Sequence, residues 1–142
     1  MSMIINETLR LYPPAPTVTR LVEREVRLGS LNLPANLVLN MPILASHHDP
    51  EIWGDDVHLF KPDRFSEGVA KATGNNSAAF LPFGMGPRVC LGFNFAIIEA
   101  KIALSMILQR CTLSLSPAYV HSPIQVLTIR PQHGVQVMLR RV

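Results

Sequence analysis

The chain is 142 residues long, 48% hydrophobic and only 16% charged, a composition that excludes an intrinsically disordered protein. Its net charge of +3 comes from scattered Lys and Arg without a block of like charge, so we do not expect it to bind nucleic acid. The most apolar long stretch, residues 93–111, contains charged side chains and does not predict a membrane span. Residues 1–7 lack the basic start and the apolar run of a signal peptide.

The first third of the sequence predicts one helix followed by short strands. Residues 1–11 have a helical pattern that ends before Pro13, because a residue that precedes proline is disfavoured in the helical conformation. Residues 24–45 predict short alternating strands with a turn at Gly29. Within that segment, we expect residues 37–45 to form one buried strand.

The rest of the sequence predicts an irregular segment, one long helix and terminal strands. Residues 47–82 carry many turn signals, so we expect a cofactor or the remainder of a larger protein to order them. Apolar residues follow two stripes in residues 93–111, which predicts a buried helix. Residues 125–129 and 135–139 predict strands. The predicted fold is therefore mixed, with two helices, short β-hairpins and a long irregular segment.

The most informative segment is FGMGPRVCLG, residues 83–92, which fits the pattern Phe-x-x-Gly-x-Arg-x-Cys-x-Gly. Five specified residues at this spacing occur by chance in roughly one in fifty thousand such chains. A lone cysteine is most often a buried structural thiol. A disulfide between Cys90 and Cys111 is possible by number, but a thiol-based redox protein would need the Cys-x-x-Cys spacing that they lack. On this motif, the chain resembles the cytochromes P-450, most closely the plant members.

The resemblance implies a cofactor, haem b (iron protoporphyrin IX), with Cys90 as the thiolate ligand of the iron. Gly86 and Gly92 would let the backbone turn tightly and point N–H groups at the sulfur, and the dipole of the next helix would favour the thiolate. Arg88 would contact a haem propionate, and Phe83 would lie against the ring. The implied cofactor-binding residues are Phe83, Gly84, Arg88, Cys90, Gly92, Ala96 and Arg20.

Three charged residues predict a structural network near this site. Glu7 and Arg10 fit the family's Glu-x-x-Arg pattern and, at a spacing of three, share one helix face. Residues 61–65 resemble the segment whose arginine completes the family's triad, so we expect Arg64 to join the pair. Backbone carbonyls should accept the remaining hydrogen bonds. The alternative is a solvated helix pair and an unrelated arginine.

Further residues are candidates on weaker patterns. Arg20 follows a proline-rich corner, where the resemblance implies a propionate contact and the alternative is an ordinary surface charge. Thr17, Val18 and residues 124–127 are candidates for lining a substrate pocket.

Two adjacent histidines, His47 and His48, precede Asp49 and could suggest a metal site. Adjacent side chains of an extended chain point in opposite directions, so one ion cannot easily bind both rings. We therefore expect this segment to pack structurally, with Trp53 as an anchor.

The resemblance covers residues 1–142 as the C-terminal haem-binding part of the family's domain, with the N-terminal two-thirds absent. The whole protein is then expected to be a monooxygenase that inserts one oxygen atom from O₂ into a lipophilic small molecule. Electrons would come from an NADPH-dependent reductase, and the protein would lie at the cytosolic face of the endoplasmic reticulum membrane. No residue is assigned as catalytic, because Cys90 is a ligand. The alternative is a truncated, non-catalytic remnant.

Overall fold

The computed structural model describes residues 1–142. Its first element is helix α1, Ser2–Leu11. The helix ends where predicted: the amide of Tyr12 donates to the Thr8 carbonyl oxygen (2.8 Å), and Pro13 has no N–H with which to continue. The buried residues of the helix are Glu7, Arg10 and Leu11. Because two of these three are charged, the helix can be buried only if their charges are paired.

Two antiparallel strand pairs follow α1, with the second pair nested inside the first. The bounds of β1 to β4 are Thr17–Val22, Val26–Leu28, Leu31–Leu33 and Leu37–Pro42. β1 pairs with β4, from Thr17 opposite Pro42 to Val22 opposite Leu37, and β2 pairs with β3. Gly29 makes the inner turn at a φ of +60°, a left-handed conformation that glycine adopts without strain.

Two strands differ from the expectation. Strand β1 lies outside the residues predicted as strands, and the predicted strand 37–45 ends at Pro42. Residues Ile43–His47 instead form the short helix α2, in which the amide of Leu44 donates to the carbonyl oxygen of Pro16 (3.2 Å). A proline has no N–H for the strand ladder, so the strand ends where Pro42 occurs.

The segment predicted to be irregular contains only short helical turns. These are α3 (Pro50–Trp53), α4 (Val69–Ala72) and the 3₁₀ turns Pro62–Phe65 and Ser77–Ala79. Trp53, Val57 and Phe65 form a buried core with Phe80 packed against it, so Trp53 is the anchor that was expected. This core orders part of the segment from within the chain, without the cofactor or further protein that was expected to order it.

Helix α5, Phe93–Leu108, and four strands complete the chain. The bounds of β5 to β8 are Cys111–Leu115, Pro123–Gln125, Ile129–Pro131 and Val137–Arg141. β5 pairs antiparallel with β8, and β6 pairs with β7. The predicted strand 125–129 is mostly the turn of the β6–β7 hairpin, in which the amide of Val126 donates to the Thr128 carbonyl oxygen (3.3 Å).

No residue of α5 is buried, so the expectation of a buried helix is wrong for this chain. Phe95 exposes 72% of its surface and Ile98 exposes 56%. Strand β5 is the element that packs most closely against α5, whereas a helix that is apolar on most sides needs partners around it. None of the helices is long and apolar enough to cross a membrane.

Candidate functional site

An open cleft of about 320 Å³ brings together residues that are far apart in the sequence. Arg20 reaches the cleft from β1, whereas Phe83, Gly84, Arg88 and Cys90 belong to the loop before α5. The other lining residues are mostly apolar: Leu9, Pro14, Ala15, Val18, Ile43 and Pro82. Most of the predicted cofactor-binding residues therefore line one cleft.

The loop that carries Cys90 is held by its own backbone. The amide of Gly84 donates to the Leu81 carbonyl oxygen (3.0 Å), and the amide of Cys90 donates to the Phe83 carbonyl oxygen (2.9 Å). Gly84 and Gly86 have φ angles of +72° and +75°, left-handed conformations that are strained for a residue with a Cβ. These two glycines let the chain reverse direction, so that Cys90 lies at the cleft.

Gly92 and Ala96 do not line the cleft, and the turn at Gly92 does not require a glycine. Gly92 has a φ of −84°, which any residue adopts. A Cβ there would lie 3.8 Å from Cys90 Sγ, an ordinary van der Waals contact, so the fold tolerates a side chain at this position. The amide of Phe93 donates to the carbonyl oxygen of Cys90 (3.3 Å) rather than to its sulfur, unlike the expected N–H contacts.

Both cysteines are free thiols, so they form no disulfide with each other. Cys90 is exposed at the cleft. Cys111 is half-buried as the first residue of β5. Of the two thiols, Cys90 is therefore the one that is open to a ligand.

The two arginines of the cleft are not paired with acidic side chains. Arg20 is half-buried and donates from Nη1 to the Thr19 carbonyl oxygen (3.0 Å), and Arg88 is exposed. All ion pairs of the chain involve Glu7 or Asp56 instead. An accessible thiol, two guanidinium groups and apolar walls suit a flat apolar group that carries carboxylates.

Glu7, Arg10 and Arg64 lie together at the buried face of α1. Arg10 Nε is 2.8 Å from Glu7 Oε2 and Arg10 Nη2 is 2.9 Å from Glu7 Oε1, a bidentate pair in which both side chains are fully buried. Arg64 Nε lies 3.4 Å from Glu7 Oε1, within ion-pair range but without hydrogen-bond geometry. This burial does not fit the alternative of a solvated helix pair.

Backbone groups supply further hydrogen bonds to this network. The amide of Lys61 donates to Glu7 Oε1 (2.8 Å), and Arg10 Nη1 donates to the carbonyl oxygen of His47 (2.9 Å). Burial alone would raise the pKa of Glu7. The hydrogen bonds from Arg10 and Lys61, together with the charges of Arg10 and Arg64, outweigh burial and hold the pKa of Glu7 below its usual range.

Asp56 belongs to the network but was not among the predicted residues. Its carboxylate accepts hydrogen bonds from Lys61 and from Arg64, and these bonds hold the pKa of Asp56 below its usual range. Arg64 Nη1 also donates to the Trp53 carbonyl oxygen (2.8 Å). Nothing in the sequence distinguishes Asp56 from the adjacent Asp55, because only the folded chain places Asp56 beside Arg64.

His47, which was expected to pack structurally, is fully buried at the end of α2. Its Nε2 accepts a hydrogen bond from the amide of Leu81 (2.9 Å), and its ring stacks on Phe80. Burial, aided by the charges of His48 and Arg10, lowers the pKa of His47 to about 4. The ring is therefore neutral at physiological pH.

The residues predicted to line a substrate pocket are separated in the structure. Val18 lines the cleft and Thr17 does not. Residues 124–127 lie on β6 and the turn after it, outside the cleft. The hairpin is nevertheless connected to the cleft wall, because the amide of Ile129 donates to the carbonyl oxygen of Pro14 (3.0 Å).

Replacing Gly84 with alanine should lower the free energy of unfolding by about 1–2 kcal/mol, because a Cβ at a φ of +72° is strained. Urea unfolding followed by the fluorescence of Trp53 measures the change. Gly92→Ala is the matched control and should cost less, since its φ is negative and its Cβ would meet only an ordinary contact. Equal losses in the two variants would contradict the role given to the left-handed turn.

Comparison with known proteins yields consistent matches over nearly the whole chain. The family model described as Cytochrome P450 matches residues 1–138. Cytochrome P450 CYP749A22 of Panax ginseng is 65% identical over 140 residues, which cover 99% of this chain and 27% of that protein. The 11-oxo-beta-amyrin 30-oxidase of Glycyrrhiza uralensis is 49% identical over 142 residues, 100% of this chain and 27% of that protein. Among solved structures, retinoic acid bound cyanobacterial CYP120A1 matches with a TM-score of 0.89 and 29% identity, over 99% of this chain and 32% of that one.

These matches confirm the predicted fold, a mixed helix and strand portion of a larger, mainly helical architecture. The relatives named above with their organisms are plant proteins, and the chain spans about 27% of their length. The family match extends from the Glu-x-x-Arg helix to the last strand and includes the whole Cys90 loop. The chain belongs to the cytochrome P450 family.

Proposed function

We propose that the cleft holds haem b, with Cys90 as the thiolate ligand of its iron. The observation that carries this proposal is the convergence of Arg20, Arg88 and Cys90 on one cleft with apolar walls. A thiol matches the iron, and two guanidinium groups match the two propionates of the cofactor. The chemistry of this donor set therefore fits the group that the family binds.

In this proposal, each residue of the site has a separate role. Arg20 and Arg88 bind propionates through charge-assisted hydrogen bonds. Phe83, whose ring packs edge-on against Phe93 with centroids 4.8 Å apart, offers an apolar surface to the cofactor. Gly84, Gly92 and Ala96 are proposed to let the loop and the first turn of α5 approach the cofactor closely, because their side chains are absent or small.

The chemistry of the thiolate depends on the helix that follows it. Cys90 lies three residues before Phe93, the first residue of α5, and the positive end of a helix dipole favours a negatively charged sulfur. When bound, a thiolate-ligated haem supplies oxygen activation, since the sulfur pushes electron density onto the iron. The residues of this chain bind and orient the cofactor, and none is proposed as a catalytic acid or base.

For the whole protein, we propose a monooxygenase that inserts one oxygen atom from O₂ into a lipophilic small molecule. Support comes from the family and from the name of the relative that is an 11-oxo-beta-amyrin 30-oxidase. We propose an NADPH-dependent reductase as the electron donor and the cytosolic face of the endoplasmic reticulum membrane as the location. Val18, which lines the cleft, is proposed to contact the substrate.

A second candidate is a non-catalytic remnant that cannot turn over alone. The exposed apolar surface of α5 and the exposed Cys90 favour this reading for the 142 residues by themselves. Under this reading, the isolated chain has poor solubility and no monooxygenase activity even when haem is supplied.

The proposed ligand is tested by the difference spectrum of the reduced chain with haem and carbon monoxide. We expect a Soret band at roughly 450 nm, which thiolate-ligated haem gives. Cys90→Ser should lose the band, because an alcohol does not replace the thiolate, and Cys111→Ser should keep it. A band that persists in Cys90→Ser would rule out this ligand. A band without turnover would support the remnant.

A further inference from the structure

The imidazole of His47 is joined to the segment that leads into the Cys90 loop. His47 is fully buried at the end of α2, and its Nε2 lies 2.9 Å from the amide nitrogen of Leu81. The next two residues, Pro82 and Phe83, line the cleft. The histidine therefore contacts the backbone at the point where the chain enters the site.

The hydrogen bond determines the protonation of the ring. A backbone N–H can only donate, so Nε2 of His47 must be the acceptor and the single proton of the neutral ring must lie on Nδ1. Nδ1 is buried without a hydrogen-bond partner. The ring accepts from Leu81 and stacks on Phe80, with centroids 5.3 Å apart. Backbone groups of Arg10 and Leu9 also lie close enough to affect the pKa of the ring.

Backbone hydrogen bonds continue from Leu81 to the cysteine. The carbonyl oxygen of Leu81 accepts from the amide of Gly84 (3.0 Å), and the carbonyl oxygen of Phe83 accepts from the amide of Cys90 (2.9 Å). At the other end, the carbonyl oxygen of His47 accepts from Arg10 Nη1 (2.9 Å). His47 thus lies between the buried Glu7–Arg10 pair and the loop, contacting one with its main chain and the other with its side chain.

We propose that His47 is a positioning residue for the Cys90 loop: its Nε2 holds the Leu81 amide, and this contact sets where Phe83 and Cys90 lie at the cleft. The expected effect on haem binding rests on the proposed function. The contact with Leu81 can be measured without haem. A purely space-filling role would need only a ring of similar shape. The positioning role differs from the space-filling role because it needs the acceptor Nε2. Without this acceptor, the part-buried N–H of Leu81 has no partner, which costs free energy.

His47→Phe keeps the aromatic ring but removes the acceptor. In the haem-free chain, we expect the Leu81 amide to exchange with deuterium about tenfold faster than in the parent. With haem supplied, we expect severalfold weaker haem binding and a smaller share of the thiolate band at roughly 450 nm. His47→Gln, whose side-chain oxygen can accept the same hydrogen bond, should restore much of the Leu81 protection and of the band.

The matched control is His133→Phe, at an exposed position in the turn before β8, which should change neither readout. Unchanged Leu81 exchange and an unchanged band in a folded His47→Phe would overturn the proposal, and so would equal effects of the Gln and Phe variants. If His47→Phe does not fold, His47→Met is compared with His47→Gln instead. If the parent chain shows no thiolate band, these 142 residues do not hold haem unaided, and the exchange of Leu81 still decides whether His47 holds the loop.

Discussion

Arg10→Met is expected to lower the free energy of unfolding by about 3–5 kcal/mol, because it leaves the Glu7 carboxylate buried without its main partner. Both side chains of the pair are fully buried, and Arg10 supplies two of the hydrogen bonds that Glu7 accepts. The same substitution removes the donor to the His47 carbonyl oxygen. Urea unfolding followed by far-ultraviolet circular dichroism measures the loss.

Two further variants distinguish the loss of charge pairing from the loss of side-chain packing. Glu7→Leu combined with Arg10→Met removes both charges and should be less destabilising than Arg10→Met alone, because no unpaired charge then stays buried. Lys61→Met breaks an ion pair of which the lysine is half exposed, and it should cost less than about 1 kcal/mol. A double variant as unstable as the sum of its single variants would contradict the pairing.

Acidification should begin to destabilise the chain at pH values well above the range in which carboxylates titrate. Burial holds the pKa of His47 at about 4, below the value near 6.5 that the unfolded chain has. The unfolded state therefore takes up a proton between these values and the folded state does not. This group's stabilisation is fully present above about pH 6.5 and is lost as the pH falls toward 4, by about 3 kcal/mol.

Other titratable groups add to the pH dependence of stability, each over its own pH range. Burial also lowers the pKa of His48, so His48 contributes with the same sign. The lowered pKa values of Glu7 and Asp56 give a stabilisation that is present above the carboxylates' usual range and is lost as the pH falls below it. The loss between pH 6.5 and 5 therefore belongs mainly to the two histidines.

The pH dependence is checked by urea unfolding at half-unit steps from pH 7 to pH 4. His47→Phe should be less stable than the parent at pH 7 but should lose less stability on acidification, because it has no imidazole at this position to protonate. His133→Phe should follow the parent curve. A His47→Phe curve parallel to the parent curve would mean that another group causes the acid sensitivity.

The family was predictable from the sequence because its signals are local. The pattern that defines the Cys90 loop lies within ten consecutive positions. Gly84 and Gly86 of the same loop have positive φ angles, which glycine adopts without strain. The pairing of Glu7 with Arg10 follows from a separation of three residues on one helix. Such features depend only on neighbouring residues, so a pattern in the sequence contains them.

The apolar periodicity of α5 predicted the helix correctly but not its burial. Two apolar stripes predicted the helix, but they report which faces are apolar and not what covers them, so the expected burial failed in this chain. Similarly, an apolar run suggested a buried strand through residues 37–45, but the strand ends at Pro42 and residues 43–47 form a helix whose Leu44 amide contacts Pro16.

Only the tertiary structure decided which distant residues meet. Arg20 approaches Arg88 and Cys90 at one cleft because the β1–β4 pair turns the chain back, and Asp56 joins Arg64 because the core around Trp53 folds the segment between them. The contact of His47 with the Leu81 amide has no local signature either. Each depends on the path of the whole chain, since burial favours pairing of polar groups without specifying partners along the sequence.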